Sequence, residues 1–327
     1  MRADNKVSVV IPNYNGKRFL AACLKALLSD APEAELLVVD NGSADGSREL
    51  VEREFPGVRL IALDQNYGFP RAVNEGIRAA SRPYVILLNN DTEVLPGFTD
   101  ALADALEADG RAFSAQAKLI SLYDPERIDD AGNYYCALGW AFARGKDRPA
   151  ARYEEPGAVF AACAGAAAYR RELFEKIGGF DEAHFAYLED IDIGYRARIH
   201  GYENRYVPEA VVYHLGSATS GSAHNAFKVS LASRNSVYLI WKNMPLPQIL
   251  LNAPFLLAGF LIKGIFFARM GLGKEYAAGL AKGAALCRQG EKTVFQRKNL
   301  KHYMQIQLEL WYNMIRRLTD ALSFRRK

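Results

Sequence analysis

Two short stretches hold residue types that could do chemistry. The first is YVILLNNDTEV at 84–94, where five apolar residues run into two amides and the carboxylate of Asp91. A run without polar alternation suits a strand covered on both faces, and a hard carboxylate at its exit suits Mg²⁺ or Mn²⁺ bridging a diphosphate. The second is YLEDIDIGYRARIHG at 187–201, with Glu189, Asp190 and Asp192 within four residues. Acids in a first helical turn are stabilised by the helix dipole and Gly201 would end the helix, so a charged helix start explains Asp192. Glu189 and Asp190 are adjacent and repel when both are ionised, so one is expected to stay partly protonated in the free protein. His214 follows the apolar run AVVY, a place where a lone histidine is more often structural than ligating.

These residues need a frame, and the first hundred residues supply one by alternating strand and helix. VSVVIP at 7–12 reads as a strand, and Phe19, Leu20, Cys23, Leu24, Leu27 and Leu28 follow at helical spacing. LLVVD at 36–40 is a second strand, followed by a Gly/Ser/Asp turn at 41–47 and a helix through Glu54. VRLIAL at 58–63 is a third strand, and a helix beginning near Pro70 leads to YVILL at 84–88. This order predicts an α/β fold with a doubly wound, mostly parallel sheet and right-handed crossovers. Ligands on such sheets bind beyond the carboxyl ends of the strands, here PNYNG, DNGS, DQNYG and NND. Asn, Asp and Gly serve turn geometry anywhere, but four such loops on one edge favour a polar ligand site.

Absences narrow the ligand. No G-x-G-x-x-G follows the first strand and no G-x-x-x-x-G-K-[ST] occurs, so phosphates would need a metal. The 327 residues, half of them hydrophobic, allow one large α/β domain with an appendage. Four scattered cysteines without a C-x-x-C pair read as reduced thiols, so a cysteine zinc site is not expected. The start, MRADNKVSVVIP, runs almost directly into a strand and lacks the pattern of a signal peptide, so a cytoplasmic location is expected. Charge is uneven: from Lys263 onward there are 14 Lys/Arg against 4 Asp/Glu, on a net charge of +4 for the whole chain.

Taken in order, VSVVIPNYNG, VVDNGSADGS, NYGFPRAVNEGI, ILLNNDTEV, GGFDE with YLEDIDIGYRARIHGY, and VVYHLGSATS resemble the inverting family 2 glycosyltransferases, which have the GT-A fold. The resemblance spans residues 7 to about 220. It implies a GT-A domain at 1–224, with a nucleotide-binding half and an acceptor half; charge and hydrophobicity give the rest, 225–327, as a helical, basic, membrane-associating region. NNDT, HLGS and RNSVYLIWKN at 234–243 look most like bacterial rhamnosyltransferases that use dTDP-rhamnose.

Carried over residue by residue, the resemblance gives Asp40 to the base or ribose of the nucleotide, with Pro12 and Tyr14 lining the base pocket. Asn66 and Arg71 would close around the nucleotide, and Arg71 could offset diphosphate charge. Asn90 and Asp91 fall in the metal segment, Asp91 matching the last carboxylate of D-x-D while Asn89 replaces the first. His214 would be the second ligand of a Mg²⁺ or Mn²⁺ ion. Asp190 would be the base that takes the acceptor's proton, and Glu189 would orient the acceptor. The small-residue run AACAGAAA at 161–168 reads as a closely packed strand, and Trp140 would stack on a sugar or bury itself.

The tail carries a different expectation. ILLNAPFLLAGFLIKGIFFARMG at 249–271 is long enough to span a bilayer, yet Asn252, Pro254 and Lys263 interrupt it. An interfacial or re-entrant hairpin with basic flanks, drawn to an anionic membrane surface, is one reading and a buried helical pair the other. Met304, Leu308, Trp311, Ile315, Leu318 and Leu322 form a heptad-like stripe that would serve as a homodimer seam, a docking face or a membrane face. The expected enzyme is a metal-dependent transferase at the inner face of the plasma membrane, taking a nucleotide-sugar donor and a cell-surface or lipid-linked glycan acceptor. Its rivals are a sugar nucleotidylyltransferase and a catalytically inactive, membrane-bound nucleotide-sugar binding protein. A nucleic-acid partner is not expected, because the basic tail lacks interleaved aromatics.

Overall fold

The computed structural model describes residues 4–216 and 224–324. It opens with β1 (Val7–Asn13), α1 (Lys17–Asp30), β2 (Glu35–Asn41), α2 (Ser47–Glu54), β3 (Arg59–Leu63), α3 (Phe69–Ala79) and β4 (Tyr84–Leu88). These four strands are parallel in the order β3-β2-β1-β4, so the crossover direction reverses between β1 and β4. Alternate strand residues feed opposite faces: Val9 and Ile11 pack with Leu20, Leu24 and Leu27 of α1, and Val10 packs with Val73 and Ile77 of α3. Gly76 lets α3 approach closely, since a Cβ there would sit 2.2 Å from Val10 Cγ1.

The chain continues through β5 (Thr92–Val94), α4 (Phe98–Ala108), β6 (Ala112–Ser121), β7 (Ile128–Asp130) and a hairpin of β8 (Asn133–Cys136) and β9 (Trp140–Ala143). It then forms β10 (Gly157–Val159), β11 (Ala166–Arg170), α5 (Leu173–Ile177), α6 (Glu189–Ile199) and β12 (Glu203–His214). The sheet thereby grows to ten strands, with β11 running antiparallel between β4 and β6 and β12 parallel to β6. The small-residue run supplies β11, whose Ala166, Ala167 and Ala168 are fully buried in the sheet's middle. Pairing of β5 with β12 sets His214 opposite Thr92, and so beside Asp91.

Four helices complete the described chain: α7 (Ala226–Asn243), α8 (Leu246–Arg269), α9 (Gly273–Leu286) and α10 (Leu300–Phe324). Of these, α7, α8 and α10 share one core with the hairpin and α6, built from Tyr135, Phe160 and Tyr195 against Ile240, Leu256, Tyr303, Ile306 and Leu310. Residues 249–269 form neither a re-entrant hairpin nor a buried pair but part of one continuous helix, most of whose residues are exposed. Asn252 does not break it because its side chain turns inward and exchanges hydrogen bonds of 2.8 and 2.9 Å with Gln307 of α10. The heptad-like stripe is not the docking face of α10: Met304, Leu308, Ile315 and Leu318 are exposed, while Tyr303, Ile306, Leu310 and Asn313 face the core. Trp311 donates to Asn252 Oδ1, and Trp140 donates to Gly259 O of α8. The Leu322 side chain and Ser217 to Ser220 of the HLGSATS segment lie outside the described residues.

Candidate active site

The exits of β1, β3 and β4 surround a cavity of about 850 Å³ whose wall includes Pro12, Tyr14, Asn66, Asn90, Asp91 and His214. Its floor is a network of amides. Asn90 Nδ2 donates to Asn13 Oδ1 at 2.6 Å, Asn13 Nδ2 donates to Asp40 Oδ2 at 3.0 Å, and Asn41 Nδ2 donates to Asn66 Oδ1 at 3.0 Å. Such side chains, buried at strand ends, keep each other's polar groups satisfied and fix the loop shapes. Gly68 closes the far wall at φ 86°, where a Cβ would meet Phe185 O at 2.3 Å.

Two residues expected at the nucleotide stand elsewhere. Asp40 is fully buried behind the wall, where Arg48 Nε donates to it at 2.6 Å and the Ser43 N–H at 3.0 Å. Burial opposes its ionisation, but Ser43 and Arg48 outweigh that and hold the carboxyl below its usual range. With its acceptors taken, Asp40 shapes the turn after β2. Arg71 points outward from α3 into ion pairs with Glu75 at 2.8 Å and Glu182 at 3.1 Å, which keeps its guanidinium off the cavity wall.

At the cavity's other side, His214 Nε2 lies 3.3 Å from Asp91 Oδ1, and its Nδ1 lies 2.8 Å from Asp129 Oδ2. Asn89 Nδ2 is 3.5 Å from the same Nε2. Burial disfavours the imidazolium, but hydrogen bonds to Asp129 and Asp91 raise the His214 pKa to about 9. Lys146 pairs with the second Asp129 oxygen. A carboxylate oxygen and an imidazole nitrogen converge here on the cavity wall, with the other ring nitrogen fixed by a carboxylate. That donor set fits a divalent cation, which would replace the proton on Nε2. No cluster of three or more ligating side chains occurs among the described residues, so diphosphate oxygens and water would complete the shell.

Glu189 and Asp190 open α6 directly after Leu188, which follows Tyr187 of the cavity wall. Neither carboxylate is part of that wall. Asn133 Nδ2 of β8 donates to Asp190 Oδ2 at 2.8 Å, and the Ile191 N–H donates to its other oxygen at 2.7 Å. One Glu189 oxygen is buried without a partner. Burial pushes both carboxyls up, and the neighbouring Asp190 pushes Glu189 further, so Glu189 is the one that keeps its proton. Asp192, by contrast, is a structural anion: burial opposes its charge, but Arg196 and Lys242 hold it well below the usual range.

The segment before α6 is strained, with positive φ at Phe185 (59°), Tyr187 (69°) and Leu188 (69°). Asn235 of α7 holds it. Its Nδ2 donates to the carbonyls of His184, Ala186 and Tyr187 at 2.9, 2.8 and 2.7 Å, and Arg234 donates to Ala183 and His184 at 2.7 Å. Sequence reasoning missed Asp129, Asn133 and Asn235 as members of the site. Asn235 alone carried a signal, as part of RNSVYLIWKN.

The sequence profile described as Glycosyl transferase family 2 matches residues 8–178, just over half of the chain. The chain belongs to that family. Among similar sequences, an N-acetylglucosaminyl-diphospho-decaprenol L-rhamnosyltransferase of Mycobacterium tuberculosis is 29% identical over 258 residues, covering 69% of this chain and 82% of that protein. Solved structures share the architecture. A mannosyltransferase from Pyrobaculum calidifontis, in complex with GDP-Man and Mn²⁺, superposes with a TM-score of 0.52 at 21% identity, covering 93% of this chain and 84% of that one. GalNAc-T7 with UDP, GalNAc and Mn²⁺ gives 0.59 at 18% identity, covering 72% of this chain and 47% of that one. The fold is therefore GT-A with a helical extension, and this family 2 protein is a glycosyltransferase.

Proposed function

We propose that the protein transfers rhamnose from dTDP-rhamnose, with inversion, to a hydroxyl of a lipid-linked or cell-surface glycan, working at the inner face of the plasma membrane. The observation that carries the transferase chemistry is the paired Asp91 and His214 at the strand-exit cavity, with the Glu189–Asp190 pair beyond Tyr187. The donor nucleotide lies among Pro12, Tyr14 and Asn66, its diphosphate toward Asp91 and His214. A Mg²⁺ or Mn²⁺ ion held by these two side chains would offset the negative charge of the departing diphosphate. Asp190, fixed by Asn133 and the Ile191 N–H, accepts the acceptor hydroxyl's proton as that oxygen bonds to the anomeric carbon. The anomeric carbon–oxygen bond to the diphosphate breaks in the same displacement, and its electron pair leaves with the diphosphate. Protonated Glu189 stands beside Asp190 as a neutral donor to the acceptor. Support for rhamnose comes from the mycobacterial relative and from the NNDT, HLGS and RNSVYLIWKN segments.

Release of nucleoside diphosphate from a panel of nucleotide sugars, with Mg²⁺, Mn²⁺ or EDTA, tests this reading. Metal-dependent release from dTDP-rhamnose alone, lost in Asp190→Asn, is the expected result. Release from another donor would remove rhamnose, and release unchanged by EDTA would remove the metal.

A further inference from the structure

Helix α8 shows far more apolar surface than a helix in water should. Its buried positions are Gln248, Asn252, Leu256 and Gly259, while Leu250, Leu257, Leu261 and Ile265 are exposed. A surface helix in water shows its polar face and hides its apolar one, so this face is matched to a hydrocarbon environment. Beside it, between α8 and the start of α10, runs an apolar groove of about 620 Å³ lined by Leu251, Phe295, Tyr303 and Met304. That size falls in the range of about 300–1,000 Å³ typical of small-molecule sites.

We propose that this groove binds one acyl chain of an anionic phospholipid while the exposed face of α8 lies on the membrane surface. The inference rests on the membrane placement proposed above and gives it a site. Two further observations point to a lipid. Gln248 lines the groove at 6% exposure, its Oε1 accepting from Tyr195 OH at 2.9 Å while its Nε2 is buried without a partner. A buried donor without an acceptor is costly, and an ester carbonyl oxygen entering the groove would satisfy it. The bordering chain then carries Arg288, Lys292, Arg297, Lys298 and Lys301 against the single acid Glu291. Cations beside an apolar slot complement a phosphate headgroup. A second copy of this chain would instead bring the same five cations to the same place, since a two-fold interface meets itself.

The test uses the full chain and vesicles of phosphatidylcholine with or without phosphatidylglycerol, the latter carrying a photoactivatable acyl chain. Co-sedimentation is expected with phosphatidylglycerol only. Crosslinks are expected on Leu251, Phe295, Tyr303 or Met304, and filling the groove by Met304→Trp or Leu251→Trp should cut labelling at least tenfold while sedimentation persists. Leu257→Gln with Leu261→Gln should cut sedimentation itself several-fold. Labelling confined to the outer face of α8, equal binding to phosphatidylcholine alone, displacement of the probe by a polyprenyl phosphate in preference to phosphatidylglycerol, or a vesicle-free dimer that shields the groove would each overturn the proposal. Nucleoside diphosphate release without vesicles, read on the same variants, separates the two ideas. No release from any donor with groove labelling intact removes the transferase proposal only, and release without labelling removes the lipid site only.

Discussion

At the scale of single residues, the site divides its work between carboxylates according to what each one touches. Asp190 has two donors and Glu189 has one bare oxygen, so burial acts on both but leaves Asp190 the easier to ionise. Burial raises its pKa above the usual carboxylate range, and the base form accumulates only above that raised value. A base must be unprotonated to work, so kcat/KM should climb with pH to a plateau reached above the ordinary carboxylate range. Asp190→Asn should abolish that limb and cost about 10²–10⁴-fold, with nucleotide affinity near normal. Glu189→Gln, which replaces a neutral group by a neutral group, should keep the limb; a pH profile that loses it in Glu189→Gln and retains it in Asp190→Asn would reverse the roles. Asp129 makes a separate prediction. It bonds the His214 nitrogen that faces away from Asp91, so Asp129→Asn should weaken Mn²⁺ binding about 10–100-fold in a nucleoside diphosphate complex, read by electron paramagnetic resonance. Unchanged Mn²⁺ affinity would reduce Asp129 to a fold residue.

At the scale of elements, the position of α6 matters as much as its acids. The strained turn ahead of it would relax without Asn235, whose one amide group donates to three carbonyls of that turn. Each such conformation costs on the order of 1–3 kcal/mol, so the hydrogen bonds from α7 are what keep it populated. Asn235→Ala should lower kcat about tenfold or more, with a smaller change in KM, because it displaces Tyr187 and the start of α6 but leaves the strand exits alone. A fall in KM affinity with kcat intact would place Asn235 at the donor instead. Which elements were legible follows from period. Strands β1 to β4, their helices and the acidic start of α6 were readable because burial stamps a repeat of two or of 3.6 on the chain. The segment at 124–156 has short strands and bridging loops, so nothing in its pattern marked Asp129 or Asn133. Arg71 and Asp40 show the converse limit: salt bridges and loop donors, invisible in one dimension, turn both away from the cavity.

At the scale of the molecule, the sheet-bearing part and helices α7, α8 and α10 share one core. Helix α10 inserts Tyr303, Ile306 and Leu310 beside Tyr135, Phe160 and Tyr195, and its Leu310 carbonyl accepts the Ala137 N–H at 3.1 Å. Tyr195 and Asp190 share α6, and Asn133, which bonds Asp190, stands at the start of the hairpin that α10 covers. Fully burying an aliphatic or aromatic side chain is worth about 1.5–3 kcal/mol, so these three residues alone represent roughly 5–9 kcal/mol. A domain is stable by only about 5–15 kcal/mol, so removing α10 takes away at least about a third of the margin and, in a marginal fold, all of it. A chain ending at residue 299 should therefore lose its cooperative thermal transition and precipitate, rather than survive as a soluble domain. A truncated protein that melts cooperatively and still binds nucleoside diphosphate would show that the GT-A half folds alone and that α10 serves only the surface beyond it.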